Sequence, residues 1–161
     1  MQIRPVQDSD PPALAALLNE IIARGGTTAF ETAFTAQAMA DALLTGPTIL
    51  CCFVAQDDDG SLHAFQTLMR SSALPDDIGD IATFARVDHT QKGIGTRLFA
   101  QTRTEAARQG LSAINATIRA DNAGGLSFYS RVGFIDHDVV RAAPLADGTP
   151  VDRIGKRYPL T

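Results

Sequence analysis

The sequence predicts an α/β (α+β) fold, with a mixed, mostly antiparallel central sheet of about seven strands and helices on both faces. Apolar stretches bounded by turn residues alternate with stretches of helical periodicity, in the order β-α-α-β-β-β-α-β-α-β-β. Two central strands are joined by the turn sequence DDDG, which favours an antiparallel hairpin. Because no repeat, low-complexity tract or linker interrupts the chain, we expect one domain over 1–161.

The N-terminal part predicts one strand followed by two helices. The first residues, MQIRPV, alternate weakly and indicate a short strand. Asp10 followed by Pro11 is typical of a helix start, because the aspartate side chain can cap the first turn and the proline fixes a helical φ angle. Gly25 and Gly26 should end this helix. The segment TTAFETAF is expected to be a loop, and 35–44 a second helix closed by TGP.

The remaining elements follow from alternation, helical spacing and turn residues. The hairpin strands are predicted at about 48–56 and 62–71, and DIATFARV at 80–87 forms the next strand. The helix predicted from 93 to 109 has a buried face made of Ile94, Leu98, Phe99, Thr102 and Ala106. We then expect a strand over 111–120 with Ile114, Ala116 and Ile118 on one face, a short helix at about 122–132 ended by Gly133, and strands at about 134–142 and 151–158.

Composition narrows the classes of partner. The net charge of −4 and the pI near 5.2 argue against nucleic acid and against an anionic membrane surface. The apolar run ILCCFVA is far shorter than the roughly 20 residues needed to span a bilayer, and MQIRPVQDSD lacks the apolar region of a signal peptide. Cys51 and Cys52 are adjacent on a strand and should point to opposite faces as small buried side chains. We therefore expect a protein of the reducing cytoplasm.

The stretch KGIGT at 92–96 follows a predicted strand and opens a predicted helix. It is not a P-loop, which needs G-x-x-x-x-G-K-[ST], and Leu98 stands where a dinucleotide fingerprint needs its third glycine. A turn of this kind can hold an anion on the free N–H groups of the first helical turn. The alternative is a turn tightened by glycine that binds no ligand.

A second motif lies one helix and one strand further along, in NAGGLSFYSRVGF at 122–134. Together the two motifs resemble those of the GNAT acetyltransferase superfamily, [Q/R]-x-x-G-x-[G/A] for the acetyl-CoA loop and N-x-x-A-x-x-[L/F]-Y-x-x-x-G-F after the next strand. The residues that fall on the second motif in register are Asn122, Phe128, Tyr129, Gly133 and Phe134. The first position of the loop motif is occupied by Thr90, and Gly125 stands where alanine is usual.

The resemblance implies that acetyl-CoA is the cosubstrate, with no metal and no acyl-enzyme. The pantetheine arm is expected beside the backbone of Thr83, Phe84 and Ala85, like an added strand. Asn122 would hydrogen-bond this arm or would only cap the last helix. The diphosphate is expected on a cradle formed by Gln91, Lys92, Gly93, Ile94, Gly95 and Thr96.

The resemblance also suggests catalytic residues. Tyr129 matches the tyrosine that donates a proton to the departing sulfur, a role that a protonated phenol suits. The alternative is that Tyr129 only packs in the core. Asp80 lies where a related branch has a glutamate proposed as the base for the amine, although GD is also an ordinary strand start. His137 and His63 are the alternative bases.

The N-terminal sequence IRPVQDSDPPALAALLNEII, followed by TTAFET, looks like the small-molecule branch that includes phosphinothricin-type amino-acid N-acetyltransferases. On this basis Thr28, Phe30 and Glu31 are expected to line the acceptor pocket, with Glu31 either near an ammonium group or simply solvated. The C-terminal DGTPVDRIGKRY lacks the Trp-Asp of that branch, so its substrate is not carried over.

These observations favour an N-acetyltransferase that moves an acetyl group from acetyl-CoA to a primary amine of a small molecule by direct attack in a ternary complex. Two alternatives stay open. One is an acetyltransferase acting on protein N-termini or lysines, and the other is a non-catalytic acyl-CoA binding module. A homodimer is common in the family that the sequence resembles, and the sequence leaves the oligomeric state open.

Overall fold

The computed structural model describes residues 1–88 and 91–161. Its strands are β1 (Gln2–Pro5), β2 (Ile49–Gln56), β3 (Leu62–Met69), β4 (Ile78–Ala85), β5 (Ala113–Arg119), β6 (Ile135–Pro144) and β7 (Pro150–Pro159). Its helices are α1 (Pro11–Arg24), α2 (Ala36–Met39), α3 (Ile94–Arg108) and α4 (Ala123–Val132). Within these ranges the strands form a seven-stranded sheet in the order β1-β2-β3-β4-β5-β7-β6. This architecture confirms the predicted fold class and order of elements.

Strand pairing changes character in the middle of the sheet. Neighbouring strands run antiparallel except β4 and β5, the one parallel pair in the described part of the chain. This pairing joins Ile78–Ile81 to Ala113–Ala116 and goes no further. Beyond it, residues 82–85 pair only with β3, and residues 117–119 pair only with β7. The two strands therefore diverge, and we call the opening between residues 82–85 and 117–119 the β4–β5 notch.

One face of the sheet is covered by α1 and α2. In α1 the leucines Leu14, Leu17 and Leu18 are buried in one core with Val54 of β2 and Phe65 of β3. Their i, i+3, i+4 spacing puts them on one side of the helix, as predicted. Each fully buried leucine stabilises the fold by roughly 1.5–3 kcal/mol relative to an exposed one.

The opposite face is covered by α3 and α4. The predicted buried face of α3 is confirmed, because Ile94, Leu98, Phe99, Thr102 and Ala106 are all buried. Phe99 of α3 lies in one core with apolar side chains of β5 and with two aromatic residues of the second motif. These are Ile114, Ala116 and Ile118 of β5, and Tyr129 and Phe134 of the motif.

Asp10 lies at the start of α1 but does not cap it, so the predicted side-chain cap is wrong. Its carboxylate accepts hydrogen bonds from the Arg4 guanidinium at 2.8 and 2.9 Å, and from the Gln7 amide at 2.8 Å. Burial disfavours the carboxylate, but the bonds from Arg4 and Gln7 outweigh burial and hold the pKa of Asp10 below its ordinary value. The charged guanidinium is a stronger donor than a backbone amide, and it draws Asp10 away from the helix.

The segment predicted as a second helix is only partly α-helical. Thr35 caps α2 by accepting a hydrogen bond from the Ala38 amide at 3.1 Å. The chain then continues as a π-helical segment, Ala40–Leu44. Gly46 follows, and a Cβ atom there would lie 1.8 Å from the carbonyl oxygen of Asp41. The π-helical segment is thus followed by a position where only glycine fits, because any side chain would clash with the backbone of that segment.

The two cysteines occupy opposite faces of β2, as predicted. Cys52 is buried in the core under α1, whereas Cys51 packs against the core under α3. Both are free thiols, and burial raises the pKa of each thiol, that of Cys51 to about 12. At neutral pH they are protonated, so they behave as small apolar side chains.

The glycines of the KGIGT stretch serve two different purposes. Gly93 precedes α3 with φ of 87°, in the left-handed region that favours glycine. Apart from its two chain neighbours, no described residue has an atom within 4 Å of the position where a Cβ would stand. Gly95 lies inside α3, and a Cβ there would be 2.7 Å from the Phe128 ring of α4. Gly95 therefore lets α3 and α4 approach each other. No helix in the described ranges is long and apolar enough to cross a membrane.

Gly95→Ala should lower the free energy of unfolding by about 1 kcal/mol, because overpacking against Phe128 outweighs the better helix propensity of alanine. Phe128→Leu in the same background should recover part of this loss. Gly124→Ala is the matched control in α4, since its Cβ would meet only the Asn122 side chain at 3.9 Å. Urea unfolding measures all four proteins. If Gly95→Ala were as stabilising as Gly124→Ala, the packing interpretation would be wrong.

Candidate active site

The β4–β5 notch exposes a strand edge inside the fold. Every second residue of a β-strand points its backbone N–H and C=O to one side, so β4 directs half of these groups between 82 and 85 toward the notch. No described strand pairs with them on that side. Of the three residues predicted to contact the pantetheine arm, Thr83 and Ala85 direct these groups toward the notch. Phe84 directs its groups toward β3, as does Arg86, whose amide donates to the His63 carbonyl at 2.8 Å. The arrangement can hydrogen-bond an extended chain that carries amide groups.

Tyr129 reaches the notch from α4. Its hydroxyl lies 2.9 Å from Oγ1 of Thr83, and its ring packs edge-on against Phe128 and Phe134, with centroids 4.9 and 5.0 Å away. Burial raises the pKa of Tyr129 to about 12; the hydrogen bond with Thr83 opposes this shift, and the Asp80 carboxylate adds to it. The phenol is therefore protonated at neutral pH, and it can donate a proton at the notch.

Asp80 stands near the start of β4, at the closed end of the notch. Its carboxylate accepts a hydrogen bond from the Asn115 amide at 2.9 Å, and Asn115 in turn accepts one from Nε of Arg157 at 2.8 Å. Sheet register explains the row, because Asp80 is opposite Asn115 and Asn115 is opposite Arg157. Burial raises the pKa of Asp80, while the bond from Asn115 and the charge of Arg157 oppose the increase.

Sequence reasoning did not single out Asn115 or Arg157. The signal was nevertheless present in the predicted strand, because Ile114, Ala116 and Ile118 turn to the α3 side and leave Asn115 on the other face. Arg157 could not be found this way. Its place beside Asn115 depends on the antiparallel pairing of β5 with β7.

The three residues predicted for the acceptor pocket lie in the loop 25–34, close to β4 and β5. Thr28 is buried; its hydroxyl accepts from the Phe30 amide at 3.1 Å, and its carbonyl accepts from Arg119 at 3.0 Å. The Phe30 ring is 6.3 Å from the Phe84 ring, centroid to centroid. The structure thus brings Thr28 and Phe30 to the end of β5 and the open end of β4.

Glu31 connects the same loop to the turn between β6 and β7. Its carboxylate accepts a hydrogen bond from the Ala146 amide at 2.8 Å, and the side chain is exposed. The pKa of Arg119 is raised mainly by its hydrogen bond with Asp121, and the negative charge of Glu31 adds to this increase. In this structure Glu31 binds a backbone amide, and contact with an ammonium group stays a prediction.

Asn122 caps α4, which was one of its two predicted roles. Its side-chain oxygen accepts from the Gly125 amide at 3.0 Å, and its side-chain nitrogen donates to the Thr27 carbonyl at 3.1 Å. A Cβ at position 125 would lie 2.5 Å from that nitrogen, so glycine replaces the usual alanine at a position where Asn122 folds over the backbone. Contact of Asn122 with the pantetheine arm stays a prediction.

The predicted diphosphate cradle surrounds the start of α3. The first helical hydrogen bond joins the Arg97 amide to the Gly93 carbonyl at 2.9 Å, so the amides of residues 94–96 precede the helical ladder. These amides and the helix dipole favour an anion at this end. Gln91, Lys92, Gly93 and Thr96 are exposed, Gly95 is half-buried and Ile94 is buried. Thr90 lies outside the described residues.

The two alternative bases are not brought to Tyr129. His63 is buried at the N-terminal end of β3, and its Nε2 lies 2.6 Å from Oδ2 of Asp57. It lies beside Arg86, just past the end of β4, whereas Asp80 lies near its start. His137 is exposed on the edge strand β6. Within residues 1–88 and 91–161 no cluster of three or more His, Cys, Asp or Glu side chains could hold a metal ion.

Solved structures of similar fold cover nearly the whole chain. A phosphinothricin acetyltransferase from Sinorhizobium meliloti in complex with acetyl-CoA matches with a TM-score of 0.86 at 18% identity, covering 98% of this chain and 87% of that one. A ribosomal-protein-alanine N-acetyltransferase from Brucella melitensis matches at 0.84 and 18% identity, covering 99% of each chain. An N-acetyltransferase from Staphylococcus aureus Mu50 matches at 0.85 and 17% identity, covering 99% and 98%. At these identities the likeness shows the fold.

The sequence itself decides the family. Comparison with curated proteins gives no match. The model of the Acetyltransferase (GNAT) family matches residues 27–134, a span that runs from the loop beside the notch through the last residue of the second motif. It therefore includes the notch, the start of α3 and Tyr129. On this match, together with the fold, the chain belongs to the GNAT acetyltransferase family and is an acetyltransferase.

Proposed function

We propose that this protein transfers an acetyl group from acetyl-CoA to a primary amine of a small molecule, by direct attack in a ternary complex. The observation that carries the proposal is the hydroxyl of Tyr129 held 2.9 Å from Thr83 at the β4–β5 notch. It puts a buried, protonated phenol beside the strand edge that suits a pantetheine arm. Asp80 supplies a carboxylate on the same strand.

The residues around the notch fit acetyl-CoA in three respects. The backbone groups of Thr83 and Ala85 that face the notch suit the amide groups of pantetheine. The amides of residues 94–96 suit a diphosphate, and Lys92 adds a positive charge nearby. Gly93 leaves open space at the same turn, which lets a phosphate approach the backbone closely. When bound, acetyl-CoA supplies an activated acyl group as its thioester.

The two titratable groups suit opposite proton transfers. An alkyl ammonium group is mostly protonated at pH 7, so the acceptor must lose a proton before its nitrogen attacks. Asp80 takes that proton, directly or through water. As the new C–N bond forms and the C–S bond breaks, Tyr129 gives its proton to the departing sulfur. The nitrogen then loses its second proton, which returns through water to the Tyr129 phenolate. A backbone N–H on the notch side of β4 is placed to stabilise the developing negative charge on the carbonyl oxygen.

The way the loop 25–34 is held favours a small acceptor. Hydrogen bonds fix the loop to α1, to the end of β5, to the start of α4 and to the β6–β7 turn. These bonds join Asn19 to Phe34, Arg119 to Thr28, Asn122 to Thr27 and Glu31 to Ala146. A loop anchored at four places is suited to bounding a small acceptor, whereas a protein tail would need an open groove. We further propose a cytoplasmic enzyme, and the homodimer stays an expectation.

Two other functions are tested by the same assay. Acetylation of protein N-termini or lysines would appear as activity on peptides that exceeds activity on free amines. A non-catalytic acyl-CoA binding module would bind acetyl-CoA and release no thiol with any amine. The assay is thiol release from acetyl-CoA with a panel of amino acids, polyamines, amino sugars and lysine- or alanine-ended peptides.

Isothermal titration calorimetry should detect binding of both CoA and acetyl-CoA. Gly93→Asp should weaken it at least about tenfold, because it adds a carboxylate beside the diphosphate site, and Gly93→Asn should weaken it less. Gly148→Asp is the matched control, since Gly148 also has a positive φ and open space around it. Absence of heat with both ligands would refute the proposed cosubstrate.

Tyr129→Phe should lower kcat about 100-fold or more and leave KM for acetyl-CoA within about twofold, because only the proton donor is lost. Tyr158→Phe is the control, because among the described residues its hydroxyl makes a single hydrogen bond, accepted from Arg103 at 3.2 Å. Full turnover by Tyr129→Phe would show that this phenol is not the acid.

Turnover should rise with pH through the pKa of Asp80, which burial raises above its ordinary value, because only the ionised carboxylate accepts a proton. Asp80→Asn should remove this limb of the pH–kcat/KM profile and lower kcat/KM about 100-fold. The control is Asp77→Asn, an exposed carboxylate just before β4. If Asp80→Asn kept both the rising limb of the pH profile and the parent kcat/KM, Asp80 would not be the base.

A further inference from the structure

Gln66 is a fully buried polar residue in the middle of β3. Its side-chain nitrogen donates a hydrogen bond to Oγ1 of Thr83 at 3.0 Å, across the register pair that joins β3 to β4. Its side-chain oxygen has no partner among the described residues. Burying an amide with one group unpaired costs about 1–3 kcal/mol. Such a residue needs a reason that core packing does not supply.

The reason follows from counting protons along the contacts. The Thr83 hydroxyl lies between two groups, the amide of Gln66 at 3.0 Å and the hydroxyl of Tyr129 at 2.9 Å. Because Gln66 donates to Thr83, the single hydroxyl proton of Thr83 is available for the oxygen of Tyr129. When Thr83 donates this proton to Tyr129, the phenolic proton of Tyr129 is not used in this chain of bonds and can point into the notch.

We propose that Gln66 is a positioning residue for the acid Tyr129, and that it acts through the Thr83 hydroxyl. The bond from Gln66 sets the direction of the chain, so that Thr83 donates to Tyr129 and Tyr129 donates toward the leaving sulfur. After the proton has moved, the Thr83 hydroxyl donates to the phenolate oxygen and stabilises it until a proton returns. This inference rests on the proposed function, because it needs Tyr129 to be the proton donor.

Four variants separate this role from packing. Gln66→Met keeps the length of the side chain and removes the donor. Thr83→Val keeps the shape and removes the hydroxyl, whereas Thr83→Ser keeps the hydroxyl. Thr102→Val is the control on α3, where it removes a fully buried hydroxyl from outside the chain of bonds.

The first measurement needs neither acceptor nor turnover. The sequence has two tyrosines and no tryptophan, so protein labelled with ¹³C at tyrosine Cζ gives two signals, which Tyr129→Phe assigns. Gln66→Met and Thr83→Val should both shift the Tyr129 signal, because each changes which bonds its hydroxyl makes. Thr83→Ser should shift it less than Thr83→Val, and Thr102→Val should leave it in place.

The second measurement uses acetyl-CoA and the most active amine of the panel. Gln66→Met and Thr83→Val should each lower kcat by about 3- to 10-fold, the effect of one hydrogen bond, with KM for acetyl-CoA within about twofold. Thr83→Ser should restore most of the rate. In the Tyr129→Phe background, Thr83→Val should cause no further loss, because residues acting through one group are not additive.

The outcomes distinguish the inference from the function on which it rests. If Tyr129→Phe retains full turnover, the proposed acid is wrong. If Tyr129→Phe is slow while Gln66→Met keeps the parent rate and the parent Tyr129 signal, only the positioning role is overturned. The positioning role would also be overturned if Thr83→Val lowered kcat by the same factor in the parent protein and in the Tyr129→Phe background, since Thr83 would then act independently of the phenol.

Discussion

The divergence of β4 from β5 is the constraint on which the site depends. The two strands pair over four residues and then separate, so β4 keeps a hydrogen-bonding edge within the fold. In an antiparallel hairpin that edge would be filled by the partner strand. A parallel pair joined by a helix can separate instead, because α3 connects the two strands and no tight turn holds their ends together. The same connection puts the start of α3 directly after β4, next to this edge.

Polar groups enter this otherwise apolar sheet along rows of register partners. One row runs from Asp80 through Asn115 to Arg157, and the other runs from Gln66 through Thr83 to Tyr129 of α4. Each of these side chains makes at least one hydrogen bond within its row, which limits the cost of taking it out of water, although the Gln66 oxygen has no partner among the described residues. The rows flank the notch on two sides, so the carboxylate and the phenol are held on rigid strands and a helix rather than on loops.

Much of the fold could be predicted from the sequence, because it is written in local patterns. The face of α3 and the opposed cysteines of β2 followed from helical and strand periodicity alone. Asp10 was misassigned because a nearby arginine from β1 competes for its carboxylate, and such a contact has no local signature. The partners of Asp80 and Tyr129 escaped prediction for a related reason, since each comes from another strand and depends on register. The place of Gly95 in the diphosphate cradle stays a prediction, whereas its close approach to Phe128 depends on how α3 packs on α4 and has no local signature.

The bond between Glu31 and the Ala146 amide has a consequence for how such a protein can diversify. It makes the shape of the segment before α2 depend on a hairpin tip more than a hundred positions away. A sheet tolerates insertions or deletions at a hairpin tip, and changes at this tip would reshape the loop 25–34 while Asp80 and Tyr129 stay in place. Under the proposed function, selectivity and chemistry would thus be carried by separate parts, and new amines could be adopted while the residues proposed to handle the thioester stay unchanged.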